Sequence, residues 1–375
     1  MIKYFMNIFL KDINGIYKVY NIEYDYIIIK NDYFKFVFKD QNYNLKINDE
    51  VKIEGWVTNN SWNDNNYFNL SKKINGSIKI KNITIINSFL SLKQTILDFT
   101  EQQNDYFKKY FLLLTFGYYQ QNNDEIFNLT KNIGIMHIII ISGFHFSLIY
   151  RLISKIIKFF NIKHYQLVAI CIISIYFLFV NKSASSLRAY LAIIYLYFLD
   201  KYAQRKFKLI ISFHLAILLL FLNPYYAYLK GFWYTFLITF FIDLFNYKFK
   251  FLKNKLLKYF FLSILINIIS LMLNTYFLNT INLLSIVNIF IITPVVEFII
   301  INSLLFWFIS PYLAIIYYFL ETLLNILSYV IWQVNFNNQF NYFLIPCILF
   351  CLYWLIYHIN FYKLKKINFK IKKPL

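Results

Sequence analysis

The chain has 375 residues, 59% of them hydrophobic and only 15% charged, with a mean hydropathy of +0.49. A soluble domain of this length needs far less apolar material to fill its core, so much of the surface must face lipid. The formal net charge is +20, but lysines and acids nearly balance over residues 1–105, so the basic excess belongs to the remainder.

Residues 1–10 have neither the long apolar core nor the small-residue cleavage site of a signal peptide, and they are too short to span a bilayer. From 12 to 82 the pattern is short alternating segments, IYKVYNIEYDYIIIK, YFKFVFK, DEVKIEGWVTN and GSIKIKN, separated by Asn, Asp, Gly and Lys clusters. This predicts a small β-domain of five or so strands, either an OB-like β-barrel or a generic small barrel. The Asn-rich stretch 59–69 reads as a mobile loop between strands. Residues 88–130 turn helical, and the apolar segment 110–119 is too short to cross unaided, which makes it an interfacial or re-entrant helix.

Beyond 132, apolar runs recur at 135–150, 166–181, 184–200, 209–222, 232–247, 259–277, 282–309, 312–333 and 343–361, giving a polytopic α-helical bundle of about nine spans with broken helices. The segment 282–309 is overlong and carries Pro294 and Glu297, so two half-helices are an alternative to one span there. Basic clusters at 151–163, 201–208, 248–258 and 363–373 fall in alternate connections. One orientation satisfies all four, with the β-domain outside and the C-terminus cytoplasmic. The expected organisation is an α+β membrane protein: a β-domain over 1–87, an amphipathic helical linker over 88–131, a membrane domain over 132–361 and a basic cytoplasmic tail over 362–375.

The seven glycines are too dispersed for a Walker A loop or a dinucleotide fingerprint. The five histidines make neither H-E-x-x-H nor a metal cluster, and no G-x-S-x-G elbow occurs. Cys171, Cys347 and Cys351 all lie in apolar runs, which does not suggest a disulfide framework. Neither an enzymatic activity nor a metal or cofactor is expected.

The stretch GIMHIIIISGFHFSLIYRL (134–152) places His137, Ser142, Gly143 and His145 in an apolar helix, where polar groups need a protein or water partner. Locking a helix bundle and lining a pore are equally good readings of those residues. A buried Arg188 costs about 2.5 to 3.5 kcal/mol on insertion scales. It therefore either snorkels to the interface or holds an anionic or carbonyl partner, and its planar fork suits a phosphate.

Several segments together resemble the ComEC family of competence proteins. HIIIISGFH (137–145) is similar to that family's H-L-L-A-I/V-S-G-L-H, and SSLRA (185–189) to its S-x-L-R-A. NPYYAYLKGFWYTFL (223–237) resembles D-P followed by G-F-Q-L-S-F-L, although Trp233 and Thr235 replace the family's Gln and Ser. LLSIVNIFIITPVVEF (283–298) resembles A-N-L-x-x-x-P-L-V, with Asn288 one residue further from Pro294. Upstream, 67–80 is similar to the end of the family's external oligonucleotide-binding domain.

The resemblance implies a membrane channel that passes single-stranded DNA inward. An external DNA receptor protein would deliver duplex, and a cytoplasmic helicase or ATPase would supply the drive. His137, Ser142, Gly143, His145, Ser185, Arg188, Gly231, Phe232, Thr235, Asn288 and Pro294 would then shape or line the path. The aromatics Phe144, Phe146, Phe232 and Trp233 either stack bases or pack in the core or against lipid. The family's two N-terminal spans and its C-terminal metallo-β-lactamase-like domain have no counterpart in these residues, so any nuclease step is expected in another protein. A homo-oligomer in the lipid bilayer is compatible with all of this. The alternatives are a membrane-embedded hydrolase or a small-molecule transporter using His137, His145 and Glu297 as a proton relay, or a non-transporting membrane scaffold.

Overall fold

The computed structural model describes residues 12–23, 26–40, 43–60, 67–89, 91–119, 123–139, 143–202, 208–248, 254–278 and 280–335. Five strands, β1 (Asp12–Glu23), β2 (Tyr26–Lys30), β3 (Lys35–Lys39), β4 (Glu50–Asn60) and β5 (Gly76–Asn87), close into a barrel in the order β1-β2-β3-β5-β4. The alternation in the sequence becomes an inside and an outside: Ile13, Val19, Ile27, Phe36, Val51 and Ile53 are buried, while Ile16, Tyr20 and Trp56 face outward. Closure comes from β1 pairing with β4 and from a parallel pair, Phe36 with Gly76 and Val37 with Ser77. Where β4 shifts register at Gly55, a Cβ would stand 2.4 Å from the Lys79 carbonyl oxygen, so the bulge requires glycine.

Two of the expectations for this domain are corrected. The strand pattern runs on to Asn87 instead of ending at 82, and the Asn-rich stretch is not a simple loop. Its first residues extend β4 to Asn60, and its last enter a short helix, α1 (Tyr67–Ser71), while 61–66 lie outside the described residues.

Fifteen elements follow among the described residues, beginning with α2 (Leu92–Glu101), α3 (Asp105–Phe116), α4 (Asp124–Ile133), α5 (Met136–Ile139), α6 (Gly143–Phe159), α7 (Tyr165–Phe179), α8 (Ala184–Tyr202) and α9 (Lys208–Leu222). A 3-10 turn (Pro224–Tyr228) then leads to α10 (Lys230–Lys248), α11 (Lys255–Leu278), β6 (Thr280–Asn282), α12 (Ser285–Leu305), α13 (Ser310–Tyr329) and β7 (Gln333–Asn335). Strands β6 and β7 pair antiparallel.

The largest packed cluster is built on α3. Phe107, Leu112, Leu113 and Leu114 are fully buried against Ile292, Val296 and Ile299 of α12 and Tyr317 and Leu320 of α13. Of the two readings of 110–119, this burial disfavours a helix lying on a membrane surface. A second cluster joins α6, α7 and α8 through Phe146, Ile149, Ile173 and Phe177, and a third joins α8, α9 and α10 through Ala184, Leu215, Leu219 and Phe232.

Among the described residues three helices are long and apolar enough to cross a membrane: Met136–Phe159, Val287–Leu305 and Ser310–Tyr329. Four further apolar helices are shorter, Tyr165–Phe179, Ala184–Phe198, Ile211–Leu222 and Phe260–Asn274. The predicted span 343–361 lies outside the described residues. The alternative of two half-helices over 282–309 is overturned: α12 is continuous from Ser285 to Leu305 with Pro294 inside it. The Thr293 hydroxyl donates to the Ile289 carbonyl at 2.6 Å, the i−4 back-bond that helical threonines commonly make.

The barrel is fastened to the helices at two places. On one side the Asn223 side chain donates to the Ser71 carbonyl at 2.6 Å, joining α1 to the turn before α10. On the other, α2 grips the barrel: Lys93 donates to Asn21, and the Ile47 amide donates to Gln94 at 3.1 Å. The same Lys93 ammonium lies 4.2 Å from the ring centroid of Tyr118, just past the end of α3.

Candidate functional site

The start of α8 is locally determined. The Ser183 amide donates to the Ser186 hydroxyl at 2.9 Å and the Ser186 amide donates to the Ser183 hydroxyl at 3.1 Å, a reciprocal pairing of orphan donors at a helix N-terminus. One turn on, Arg188 is only 7% exposed, so the snorkelling alternative is excluded. Its Nη1 donates to the Thr235 carbonyl at 3.0 Å and to the Thr239 hydroxyl, both on α10. The guanidinium also lies 5.6 Å from the centre of the Phe236 ring. The arginine thus finds a carbonyl, a hydroxyl and a π face inside the bundle.

Gly143 opens the described part of α6 against this arginine. A Cβ there would stand 2.3 Å from Nη2 of Arg188 and 3.7 Å from Cβ of Ala189, so α6 can approach α8 only without a side chain. Gly231, at the start of α10, faces Ser185 without such crowding: an added Cβ would lie 4.0 Å from the Ser185 hydroxyl, an ordinary contact that does not require glycine. Gly143, Ser185, Arg188, Gly231 and Thr235 therefore meet where α6, α8 and α10 come together. Three segments singled out separately in the sequence, 137–145, 185–189 and 223–237, share one junction.

Other predicted residues fall elsewhere. Asn288 is buried on α12 and donates to the Ile133 carbonyl at 3.1 Å, answering an orphan acceptor at the C-terminal end of α4. That helix ends on Gly134 at φ 85°, a left-handed conformation that glycine adopts freely, and an added Cβ would stand 2.7 Å from Cβ of Ser285. Pro294 lies further along α12. His137 sits on α5, whose Ile138 and Ile139 belong to the α3 cluster. His145 is fully buried on α6, whose Phe146 and Ile149 belong to the α7–α8 cluster. The two histidines thus sit on helical segments that join different packing units. Ser142 lies outside the described residues.

Phe146 and Phe232 are core residues, whereas Trp233 is 40% exposed and donates its indole N–H to the Ala227 carbonyl at 2.7 Å. Glu297 interacts electrostatically with Arg151 of α6. No group of three His, Cys, Asp or Glu side chains able to hold a metal occurs among the described residues.

Several groups escaped the sequence reading. Thr239 and Asp243 continue the Thr235 face of α10 at four-residue spacing, and the Ser212 hydroxyl of α9 donates to Asp243 at 3.0 Å. The spacing was visible in TFLITFFID, although nothing marked it as facing an arginine. Lys109 of α3 pairs with Glu321 of α13 at 2.9 Å and lies 3.7 Å from Glu125 of α4.

A family model described as Competence protein matches residues 114–366. No curated protein and no solved structure matches the chain.

Proposed function

From the chain's membership of the competence protein family, which implies involvement in DNA uptake for transformation, we propose that it is a membrane channel that admits single-stranded DNA. The observation that carries this reading is the junction of α6, α8 and α10. Gly143, Ser185, Arg188 and Thr235 bring a buried cation, its polar acceptors and one close-approach glycine together where three of the family-like segments meet. A strand crossing a bilayer needs such a place, because its phosphates and base edges cannot face lipid. Phe144, half-buried beside this junction, and Trp233 offer rings on which bases stack at about 1 to 3 kcal/mol each. His137, Ser142, His145, Phe232, Asn288 and Pro294 are taken, from the family resemblance, as contributors elsewhere along the path.

In this reading about nine spans cross the cell membrane, and the barrel, whose strand order with parallel β3 and β5 suits an oligonucleotide-binding fold, stands outside as a vestibule. Support for the orientation comes from connectivity. The turns at 180–183 and 223–229 lie at the ends of α7 to α10 nearest the barrel and its clasp, and the basic connections join the opposite ends. The chain transports and does no chemistry on the strand. Its partners are an external DNA receptor, a cytoplasmic helicase or ATPase, the bilayer and, where the channel assembles, further copies of itself.

The test is uptake of labelled DNA into a nuclease-resistant internal pool, measured alongside the amount of this protein in the membrane. Disrupting the gene should abolish uptake. Undiminished uptake would remove the channel reading.

A further inference from the structure

Asp243 is an acid in the middle of an apolar helix, and none of the sequence signatures gives it a role. Its placement supplies one. Thr235, Thr239 and Asp243 recur every four residues on α10 and so share a face. Side chains on a helix lean toward its N-terminus, which turns the Asp243 carboxylate back toward Thr239. Thr239 and the Thr235 carbonyl are the two acceptors of Arg188 Nη1. The carboxylate makes no direct ion pair with that guanidinium; it lies one turn beyond Thr239 on the same face and acts on the cation only through space, while its own Oδ2 accepts the Ser212 hydroxyl from α9. Arg188 Nε is buried and has no hydrogen-bond partner among the described residues. The arginine therefore does not have enough neutral acceptors, and a buried cation in that condition needs a charge of opposite sign.

We propose that Asp243 is the positioning residue for Arg188: it holds the guanidinium on the Thr235–Thr239 face of α10, with Nη2 turned toward Gly143, so that α6, α8 and α10 close as one unit. The proposal rests on the reading of this junction as part of the DNA path, but its structural half is measurable without DNA. Arg188 then meets a passing phosphate, if at all, only by exchanging Asp243 for it, which makes the acid a resident counter-ion.

The experiment uses the full chain, purified in detergent and also expressed in cells, with Arg188→Leu, Asp243→Leu, the double variant, Asp243→Asn and Asp243→Glu. Two quantities are read: the thermal unfolding midpoint, and labelled DNA taken up per molecule of membrane protein. Each single leucine variant should lower the midpoint by about 5 °C or more, because the opposite charge facing the remaining group is lost. The double variant should recover most of that loss, since replacing both charges by apolar groups removes the penalty. Asp243→Asn keeps the shape and loses the charge, and should cut uptake per molecule by about tenfold or more. Asp243→Glu should restore both quantities.

A double variant whose loss is the sum of the two singles overturns the pairing. So does Asp243→Asn with unchanged uptake per molecule. If gene disruption leaves uptake intact, the channel reading fails on its own, and the thermal coupling between Arg188 and Asp243 still decides this proposal.

Discussion

An added Cβ on Gly143 would occupy the space taken by Nη2 of Arg188, at 2.3 Å. The glycine of one signature and the arginine of another are thus a single steric unit, although neither segment gives a sign of the other in the sequence. Arg188 cannot swing aside freely, because Nη1 is held by Thr235 and Thr239.

Gly143→Ala should therefore destabilise the chain by about 1 to 3 kcal/mol, the range for overpacking or for losing a hydrogen bond to a charged group. In an Arg188→Leu background most of that cost should vanish, since the clashing nitrogen is gone. The check is a double-mutant cycle on thermal unfolding in detergent. Additive losses would mean that the two residues do not share the space.

The Lys109–Glu321 pair makes a second quantitative case. Both side chains are mostly buried, at 13% and 20% exposure, and the pair fastens α3, the centre of the largest cluster, to α13. Removing one partner by Glu321→Ala should cost about 3 kcal/mol, while Lys109→Met combined with Glu321→Leu should come close to neutral. Denaturation of the purified protein measures both. A mild Glu321→Ala would show that the pair is effectively solvated.

These two pairs also mark the limit of what the sequence could reveal. Period-two alternation such as Val51 and Ile53 against Lys52 and Glu54 is local, so the barrel was legible, as was the apolar character of most helices. Arg188 was legible as an anomaly in an apolar run. Its partners were not, because the Thr235 carbonyl and the Thr239 hydroxyl lie on another helix and only tertiary packing brings them to it. Lys109 and Glu321, 212 residues apart, pose the same difficulty. The Pro294 reading failed for a different reason: a proline suggests a break, but packing of Ile292, Val296 and Ile299 in the largest cluster keeps α12 whole. Short α1 was hidden because five residues carry no period to detect.

Attachment of the barrel gives a third prediction. Asn223 uses its amide twice: Nδ2 donates to the Ser71 carbonyl, and Oδ1 accepts the Tyr225 amide at 3.2 Å, capping the turn before α10. Asn223→Ala should lose both, at a cost of about 1 to 3 kcal/mol for the buried carbonyl and the cap. The barrel should then be released on one side and remain gripped by α2. Limited proteolysis of the purified chain should show faster cleavage around residues 72–75, and an unchanged digestion pattern would show that the contact does not hold the barrel.

The outer face of the barrel should bind nucleic acid weakly. Lysines and acids nearly balance over residues 1–105, so counter-ion release offers little. What remains is local: the exposed ring of Tyr20 has the Lys35 ammonium 4.2 Å and the Lys30 ammonium 5.3 Å from its centroid, a small basic and aromatic patch. Single-stranded oligonucleotide binding by the full chain should fade as salt rises to physiological levels. Tyr20→Ala should weaken the low-salt binding by about fivefold or more, the loss of one stacked base. Tight binding that survives high salt would contradict this account.

Orientation is the last and most consequential prediction, because a strand can be received outside only if the barrel is there. Lys79 is exposed on β5, and Lys155 is exposed on α6 beside the first basic connection. The positive-inside preference places that connection in the cytoplasm, while the clasp of Asn223 on Ser71 keeps the barrel at the opposite ends of the helices. Single cysteines at these two positions, in a background lacking the native ones, should therefore react oppositely with a membrane-impermeant maleimide in intact cells. Lys79→Cys should label without permeabilisation, and Lys155→Cys only after it. The reverse result would put the barrel in the cytoplasm, where it could not receive DNA from outside, and would leave family membership standing while the vestibule assignment falls.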